Sequence, residues 1–392
     1  MNALFISLSG ASTKVINPSN QGYCAMMMQS KTGVEDFKNR SYFPFLDGIR
    51  AISVFMVMSN HLHSTFIFMR RTPGWAGVDV FCVLSGFIIT TLLLREERVS
   101  GSIRLRAFYL RRLFRIVPVF LSVLLFYVPV AYFGEHGARW GAFTSALPLY
   151  LTFLQDFVPH EAPFSFSWTL GIEEKFYLIW PLLALVFIKR LRYRAGLACL
   201  FLLVSGTLYV CFESSSDLAF YQARSYAALA LGSLLACLLA SQAAQSLSQI
   251  YASIPSLVPI ALILLSLVLV YENRVYILLL DLVVGFCLSY LLLTNTLAGR
   301  CLASPIPVWI GKRSYSMYLI HLLILTPIRL ALHPTTELAE LLVLTIAYAV
   351  TAGCAHLIYL AIEQPMRALG KRLETLVSDQ SKSPAKLFQP TG

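Results

Sequence analysis

The stretch LDGIRAISVFMVMSNH, Leu46 to His61, decides how the rest of the chain is read. It is an apolar helical run that carries Arg50 near one end and His61 at the other. An ionisable side chain inside a membrane span is expensive unless it is paired or hydrated, so it marks function by default. Eleven residues at ~100° each fall within about 20° of three whole turns, so Arg50 and His61 project from one face. At ~1.5 Å per residue they stand about 16 Å apart along the axis, roughly half a bilayer core. One face therefore carries a fixed cation at one depth and a titratable base at another.

The surrounding composition agrees with a membrane setting. Of the 392 residues, 57% are hydrophobic and only 13% charged, whereas soluble domains carry about 25% charged residues. Apolar runs long enough to span a bilayer recur along the whole chain, which defines an all-α, polytopic membrane protein. We place ten spans, at 46–68, 77–94, 116–133, 168–188, 195–212, 222–240, 254–271, 275–294, 308–330 and 338–362. The net charge of +11 flanks these spans and forms no soluble basic domain, so it argues for anionic lipid and against nucleic acid. The eight cysteines form no CxxC pair and mostly fall inside apolar runs, as small core residues do. No P-loop, GxGxxG or HExxH motif is present, and no metal site is expected.

The loops set the orientation. Arg95, Arg98, Arg104, Arg106, Arg111, Arg112 and Arg115 share one loop region; Lys189, Arg190, Arg192 and Arg194 share a second; Arg300, Lys312 and Arg313 a third. The positive-inside rule places all of them in the cytoplasm, with both termini. Residues 143–158 tempt an eleventh span, but crossing there would carry the Lys189–Arg194 cluster outside. With Pro148 and Asp156, the segment reads as re-entrant or interfacial on the outer side. Residues 1–41 are expected to form a disordered tail without a signal peptide, with Met26, Met27 or Met28 as alternative starts. Residues 42–370 form the membrane domain, and 371–392 a cytoplasmic tail.

Depth then groups the polar residues. His61 lies ~22 Å above the inner end of its helix, in the outer half. Asp79 falls near the outer edge of the second span, with Ser85 about 9 Å below it. Glu173 sits roughly 8 Å in from the outer face, and His321 about 12 Å up from Arg313, near the midplane. A histidine can take a proton from a hydroxyl. A carboxylate on its other ring nitrogen, Glu173 or Asp79, would orient it. Arginines at the cytoplasmic mouth would bind a phosphorylated donor, because guanidinium forks match phosphate oxygens. The competing readings are ordinary: His61 and His63 as packing histidines, the arginines as topogenic anchors, Glu173-Glu174-Lys175 as a local ion-pair cluster, and Glu363 as a helix-end partner for Arg367. A secondary transporter or exporter of a small solute or lipid-linked sugar would also carry intramembrane charges, although no inverted repeat is visible. A scaffold without chemistry would leave the outer-half His61, Asp79 and Glu173 unexplained.

Five motifs in order resemble the acyltransferase-3 family of integral-membrane O-acyltransferases, which act on surface polysaccharides, peptidoglycan and nodulation factors. Tyr42-Phe-Pro-Phe-Leu-Asp47-Gly48-Ile-Arg50 followed by His61 is similar to its Arg-x10-His signature. Gly77-Val-Asp79 through Ser85-Gly86-Phe87 resembles its second-helix motif. Phe108-Tyr-Leu-Arg111-Arg112-Leu-Phe-Arg115 through Pro118 resembles its basic loop. Ser167-Trp168-Thr-Leu-Gly-Ile-Glu173 and Gly311-Lys-Arg-Ser314-Tyr315-Ser-Met-Tyr318-Leu-Ile-His321 resemble its two later motifs. The resemblance implies acyl-CoA, acetyl-CoA foremost, as cytoplasmic co-substrate, and a glycan or related hydroxyl acceptor outside. It implies His61 as the essential base with Glu173 and Asp79 beside it. It places Arg50, Arg111, Arg112 and Arg115, with His321 and Ser85, on the coenzyme side. It further implies an inner (plasma) membrane location. Gly171 and Lys175 stand where the family more often has Ser and Gln, and Cys82 where it has Phe. The Lys is expected to alter the charge of the outer pocket. The esterase-like extracytoplasmic domain of some members is not seen, so the acyl group is expected to pass directly to its acceptor or through a separate periplasmic partner.

Overall fold

A computed structural model of the chain describes residues 33–40, 42–62, 73–134, 138–212 and 218–380. Among these every regular element is helical. The chain order is α1 (Val34–Asn39), α2 (Pro44–His61), α3 (Gly77–Ser100, entered through a 3-10 turn at Gly74–Ala76), α4 (Leu105–Phe133), α5 (Ala138–Leu151), α6 (Trp168–Trp180), α7 (Leu191–Cys211) and α8 (Leu218–Ala240). There follow α9 (Ala243–Ala252), α10 (Leu257–Glu272), α11 (Ile277–Leu293), α12 (Leu297–Leu302), α13 (Pro305–Gly311), α14 (Ser314–Leu332), α15 (Glu337–Ile358) and α16 (Gln364–Gln380). Wide π turns extend α6 over Pro181–Phe187 and join α15 to α16 over Tyr359–Glu363. Pro181 opens the first, because proline removes the amide that an α-helical turn needs.

Among the described residues seven helices are long and apolar enough to cross a bilayer, or eight if α9 and α10, bent by 98°, are counted as one span. The expected ten also include α2, which carries Asp47, Arg50, Asn60 and His61, and the α6 region, which carries Glu173, Glu174 and Lys175 and is therefore more polar. The segment over 143–158 divides into α5, of 14 residues, and a 3-10 turn at Gln155–Phe157 that buries Gln155 and Asp156. Part of the expected N-terminal tail is ordered: Phe37 of α1 is buried against Phe43 and Phe87, and Arg95 stacks on it. Part of the expected C-terminal tail is helix α16. The remainder of both tails, the alternative starts at Met26–Met28, and His63 lie outside the described residues.

In lipid, helices associate through close packing and buried polar contacts more than through hydrophobic burial, so small residues mark the seams. The seam that positions α2 shows this. A Cβ at Gly48 would stand 2.1 Å from the Leu302 carbonyl oxygen, and one at Gly311 1.8 Å from that of Asp47. No side chain fits at either place. The N-terminal part of α2 is thereby clamped between α12 and α13, and Arg50 is fixed opposite the start of α14. The α2 N-terminus, the α3 C-terminus, the α4 N-terminus and α16 meet at this one arginine-rich end of the bundle.

Candidate active site

Helices α2, α3, α4, α6 and α14 line one cleft, whose empty space of about 800 Å³ includes open solvent at its mouth. Its arginine-rich end is walled by Arg50, Arg112, Arg115 and Ser314; further along lie Ser85, Glu173 and Tyr177, and then Val78, Phe81, Thr169, Leu170 and Tyr318. Arg50 donates from Nε to Ser314 Oγ at 3.2 Å and faces the Phe81 ring. The Arg112 guanidinium lies 4.7 Å from the centre of the Tyr177 ring. Among the described residues none of Arg50, Arg112 and Arg115 has a carboxylate within ion-pair distance. Glu173, the one acid lining the cleft, instead accepts hydrogen bonds at Oε2 from Ser85 Oγ (3.0 Å) and from the Tyr177 hydroxyl. Three cations thus line a half-enclosed space without a direct ion pair, with Glu173 and Glu174 in electrostatic reach.

His61 closes α2 at the opposite end of the bundle and meets His321 of α14, with Nδ1 of the first 3.2 Å from Nε2 of the second. The carbonyls around the pair assign the tautomers, because a carbonyl oxygen only accepts. His321 Nδ1 lies 2.6 Å from the Tyr318 oxygen and so carries a hydrogen; its Nε2 is the acceptor of a neutral ring. His61 Nδ1 lies 3.0 Å from the Val57 oxygen and likewise carries a hydrogen. In neutral His61 the lone pair therefore resides on Nε2, the nitrogen turned away from the helix. His321 is fully buried and His61 is half-buried.

Tyr318 is the wall shared by cleft and histidine pair. Its side chain lines the cleft, its hydroxyl donates to the Phe166 carbonyl (2.5 Å) and meets Thr169 Oγ1 (2.8 Å), and its own carbonyl holds His321. The Phe166 ring packs against both histidines, with centroids 6.3 Å from His61 and 4.9 Å from His321.

Of the residues singled out in the sequence, Arg50, Arg112, Arg115, Ser85 and Glu173 line one cleft, and His61 and His321 form one pair. The rest are placed differently. Neither expected carboxylate hydrogen-bonds His61: Glu173 is engaged by Ser85 and Tyr177, and Asp79 pairs with Arg224 at 3.0 Å, buried on both sides. His321, expected on the coenzyme side, stands against His61 instead. Arg111 points away from the cleft to Glu96 (3.3 Å) and Glu374 (2.5 Å). Lys175 does not line the cleft either; it pairs with Asp156. A Cβ at Gly171 would stand 2.6 Å from Asp156 Oδ1. The departures at Gly171 and Lys175 therefore have one cause: Gly171 makes room for buried Asp156 and Lys175, one turn on, neutralises it. Glu363 pairs with Arg367 as expected (3.4 Å) and also accepts from Ser316.

Sequence reading passed over Arg224 and Asp281, which are both buried in apolar helices, with Asp281 in electrostatic reach of Asp79 and Arg224. The rule that singled out His61 applies equally to them. Among the described residues no group of three or more His, Cys, Asp or Glu side chains could hold a metal.

The fold and site together are those of a polytopic helical membrane protein with a cationic cleft beside a histidine pair. The chain belongs to the acyltransferase-3 family: the family model described as "Acyltransferase domain" matches residues 43–360. It is 29% identical over 372 residues to the Staphylococcus aureus (strain COL) protein named "Putative O-acetyltransferase SACOL0978", covering 88% of this chain and 60% of that one. It is 34% identical over 162 residues to the peptidoglycan O-acetyltransferase OatA of Listeria monocytogenes, covering 38% of this chain and 25% of that one. It is 28% identical over 367 residues to the Bacillus subtilis protein named "Putative peptidoglycan O-acetyltransferase YrhL", covering 86% and 56%. The chain thus spans about 60% of the length of the Staphylococcus relative. No solved structure matches it at a comparable level.

Proposed function

We propose that the protein is a plasma-membrane O-acyltransferase that takes an acyl group, acetyl foremost, from cytoplasmic acyl-CoA and delivers it to a hydroxyl of an extracytoplasmic glycan. The observation that carries this reading is the set of three guanidiniums without carboxylate partners, Arg50, Arg112 and Arg115, lining a cleft that ends at the Tyr318 wall of the histidine pair. Unpaired arginines in a half-enclosed site suit the phosphates of a coenzyme, which bring the missing negative charge. The names of the relatives, peptidoglycan O-acetyltransferases among them, support a cell-wall glycan as acceptor. The basic loops support an orientation with the arginine-rich end in the cytoplasm and both termini beside it.

In this reaction His61 Nε2 takes the proton of the acceptor hydroxyl as its oxygen attacks the thioester carbonyl carbon. The C–S bond breaks, an ester forms, and the imidazolium proton passes to the coenzyme thiolate. The Val57 carbonyl and His321 Nε2 share the His61 Nδ1–H and hold the ring in the tautomer whose Nε2 serves as base. The same nitrogen could carry the acyl group transiently as acyl-His61, and rapid-quench trapping separates the two routes. The anionic tetrahedral intermediate requires donors, and the hydroxyl-rich wall of Tyr318 and Thr169 is placed to supply one after its bond to the Phe166 carbonyl is released.

The test is thiol release from acetyl-CoA by the protein in proteoliposomes with a glycan acceptor. His61→Ala is expected to abolish release and transfer while remaining inserted and monodisperse. Full transfer by that variant would overturn the assignment of His61. Solute flux without thiol release would favour a transporter instead.

A further inference from the structure

Helices α3 and α8 run parallel and are zipped together by two glycines. A Cβ at Gly86 would stand 2.0 Å from the Leu229 carbonyl oxygen, and one at Gly232 2.0 Å from that of Val83. Just beyond, Thr90 donates to Ser233 at 3.0 Å. Ala236 and Ala240 follow Gly232 at steps of four residues and so continue its face of α8. There the two helices leave a second opening, of about 390 Å³ with open solvent at its mouth included, bounded on its third side by Phe37 and Lys38 of α1. It shares no residue with the donor cleft.

Three cations, Lys38, Arg95 and Arg98, border this opening. Among the described residues none of them has a carboxylate within ion-pair distance, because the neighbouring acids are taken: Asp36 by Arg40, Glu96 by Arg104 and Arg111, Glu97 by Arg194. Arg95 Nη2 donates to the Phe37 carbonyl at 2.6 Å and Arg98 Nη2 to that of Lys38 at 3.1 Å. A guanidinium has five N–H groups, so most of these donors remain for another acceptor. Thr91 lines the same opening. It is only 7% exposed, and its Oγ1 has no hydrogen-bond partner among the described residues. A buried hydroxyl is costly to leave unpaired, so a bound acceptor would relieve it.

Depth selects the ligand. Thr91 to Arg98 covers seven residues of α3, about 10 Å of rise, whereas the headgroup layer of one leaflet is about 5–7 Å deep. The opening is cationic where α3 ends, at Arg95 and Arg98, and apolar with one hydroxyl deeper in, at Thr91, Leu94 and Ala236. A free phosphate would use only the cationic end; a phosphodiester followed by an acylated glycerol uses both. We infer that this opening binds one anionic phospholipid, with its phosphodiester on Lys38, Arg95 and Arg98 and an ester carbonyl accepting from Thr91 Oγ1. The Arg95 guanidinium lies 5.0 Å from the Phe37 ring centre and 5.5 Å from that of Phe43, so the lipid fastens α1 and the start of α2 to α3. The orientation supported by the basic loops makes it a lipid of the cytoplasmic leaflet; neither acyl-CoA nor the acceptor enters the inference.

The experiment delipidates the full chain in neutral detergent and titrates it with phosphatidylglycerol, phosphatidylcholine or inorganic phosphate. Native mass spectrometry counts bound lipid, and tryptophan fluorescence on heating follows stability. Phosphatidylglycerol is expected to bind as one retained molecule and to raise the thermal midpoint; the other two are expected to do neither. Lys38→Gln with Arg98→Gln, both at exposed positions, should weaken it about thirty-fold, at about five-fold for each cation near a membrane surface. Lys189→Gln with Arg190→Gln removes the same charge from another exposed loop and should leave the affinity in place. Thr91→Val keeps the shape and removes the unpaired hydroxyl, so it should weaken the lipid a few-fold while the lipid-free protein melts no lower. Equal weakening by the two double variants would reduce the effect to diffuse attraction and overturn the site. Stabilisation by inorganic phosphate equal to that by phosphatidylglycerol would overturn the lipid assignment, and full affinity in Thr91→Val would overturn the pocket as the place of binding.

Discussion

Replacing Lys175 by methionine tests the account of Gly171, Asp156 and Lys175 as one unit. Asp156 is fully buried, and its Oδ2 is held by Lys175 Nζ and by Gln222 Nε2 at 2.7 Å; Lys175 is 24% exposed. Removing the cation while keeping the buried carboxylate typically costs about 3–5 kcal/mol. The Gln222 hydrogen bond remains and offsets part of it, since a bond to a charged group contributes about 1.5–3 kcal/mol. Lys175→Met should therefore destabilise by about 2–4 kcal/mol. Asp156→Asn removes the charge that Lys175 neutralises, so adding it to Lys175→Met should recover most of the loss, leaving a coupling of about 2 kcal/mol in the double-mutant cycle. The assay is reversible unfolding in detergent, followed by tryptophan fluorescence, for the four members of the cycle. A loss under about 0.5 kcal/mol for Lys175→Met, the range of an exposed ion pair, would refute the reasoning. So would a double variant no more stable than Lys175→Met alone.

Other consequences are sharper in activity than in stability. Arg115→Gln should raise KM for acetyl-CoA about ten-fold or more, the value of one charge-assisted contact, with little change in kcat once donor saturates; titrating donor in the thiol-release assay reads it directly. His321→Phe should lower kcat by about 100-fold, the scale of one proton-transfer contribution, while the donor KM stays in place; equal loss in both parameters would show a binding role instead. Asp79→Ala leaves Arg224 buried without its carboxylate and should cost about 3–5 kcal/mol, seen as poor recovery of monodisperse protein; the paired change Asp79→Leu with Arg224→Met should recover most of the yield.

What the sequence made legible follows from what periodicity and spacing encode. The Arg50–His61 register lies within one helix, so helical geometry alone places both residues on one face, and the structure keeps both within α2, His61 at its C-terminus and Arg50 three turns earlier. The membrane character and the all-helical fold are likewise local properties of apolar runs. Lateral neighbours are not local. That His321 and not a carboxylate stands against His61 depends on how α14 packs beside α2, through the glycine clamp at Gly48 and Gly311 and the buried contact of Leu62 with Leu325, residues distant in sequence. Arg111 and Arg112 are adjacent in sequence and similar in kind, yet a step of ~100° about the α4 axis gives one to α16 and the other to the cleft. Gly171 and Lys175 looked like two independent departures because the residue that links them, Asp156, enters from another segment.

The Phe166 ring, wedged against His61, His321 and Tyr318, carries a consequence for energy conservation. A thioester reachable from the cytoplasm and a base reachable from outside, joined by an open channel, would let water be acylated in place of sugar, and the cell would hydrolyse its acetyl-CoA to no purpose. In the proposed reaction, an aromatic ring seated on the base would tie admission of the acceptor to exposure of the thioester. The protein would then work as an airlock, with idle turnover suppressed until an acceptor moves the ring aside.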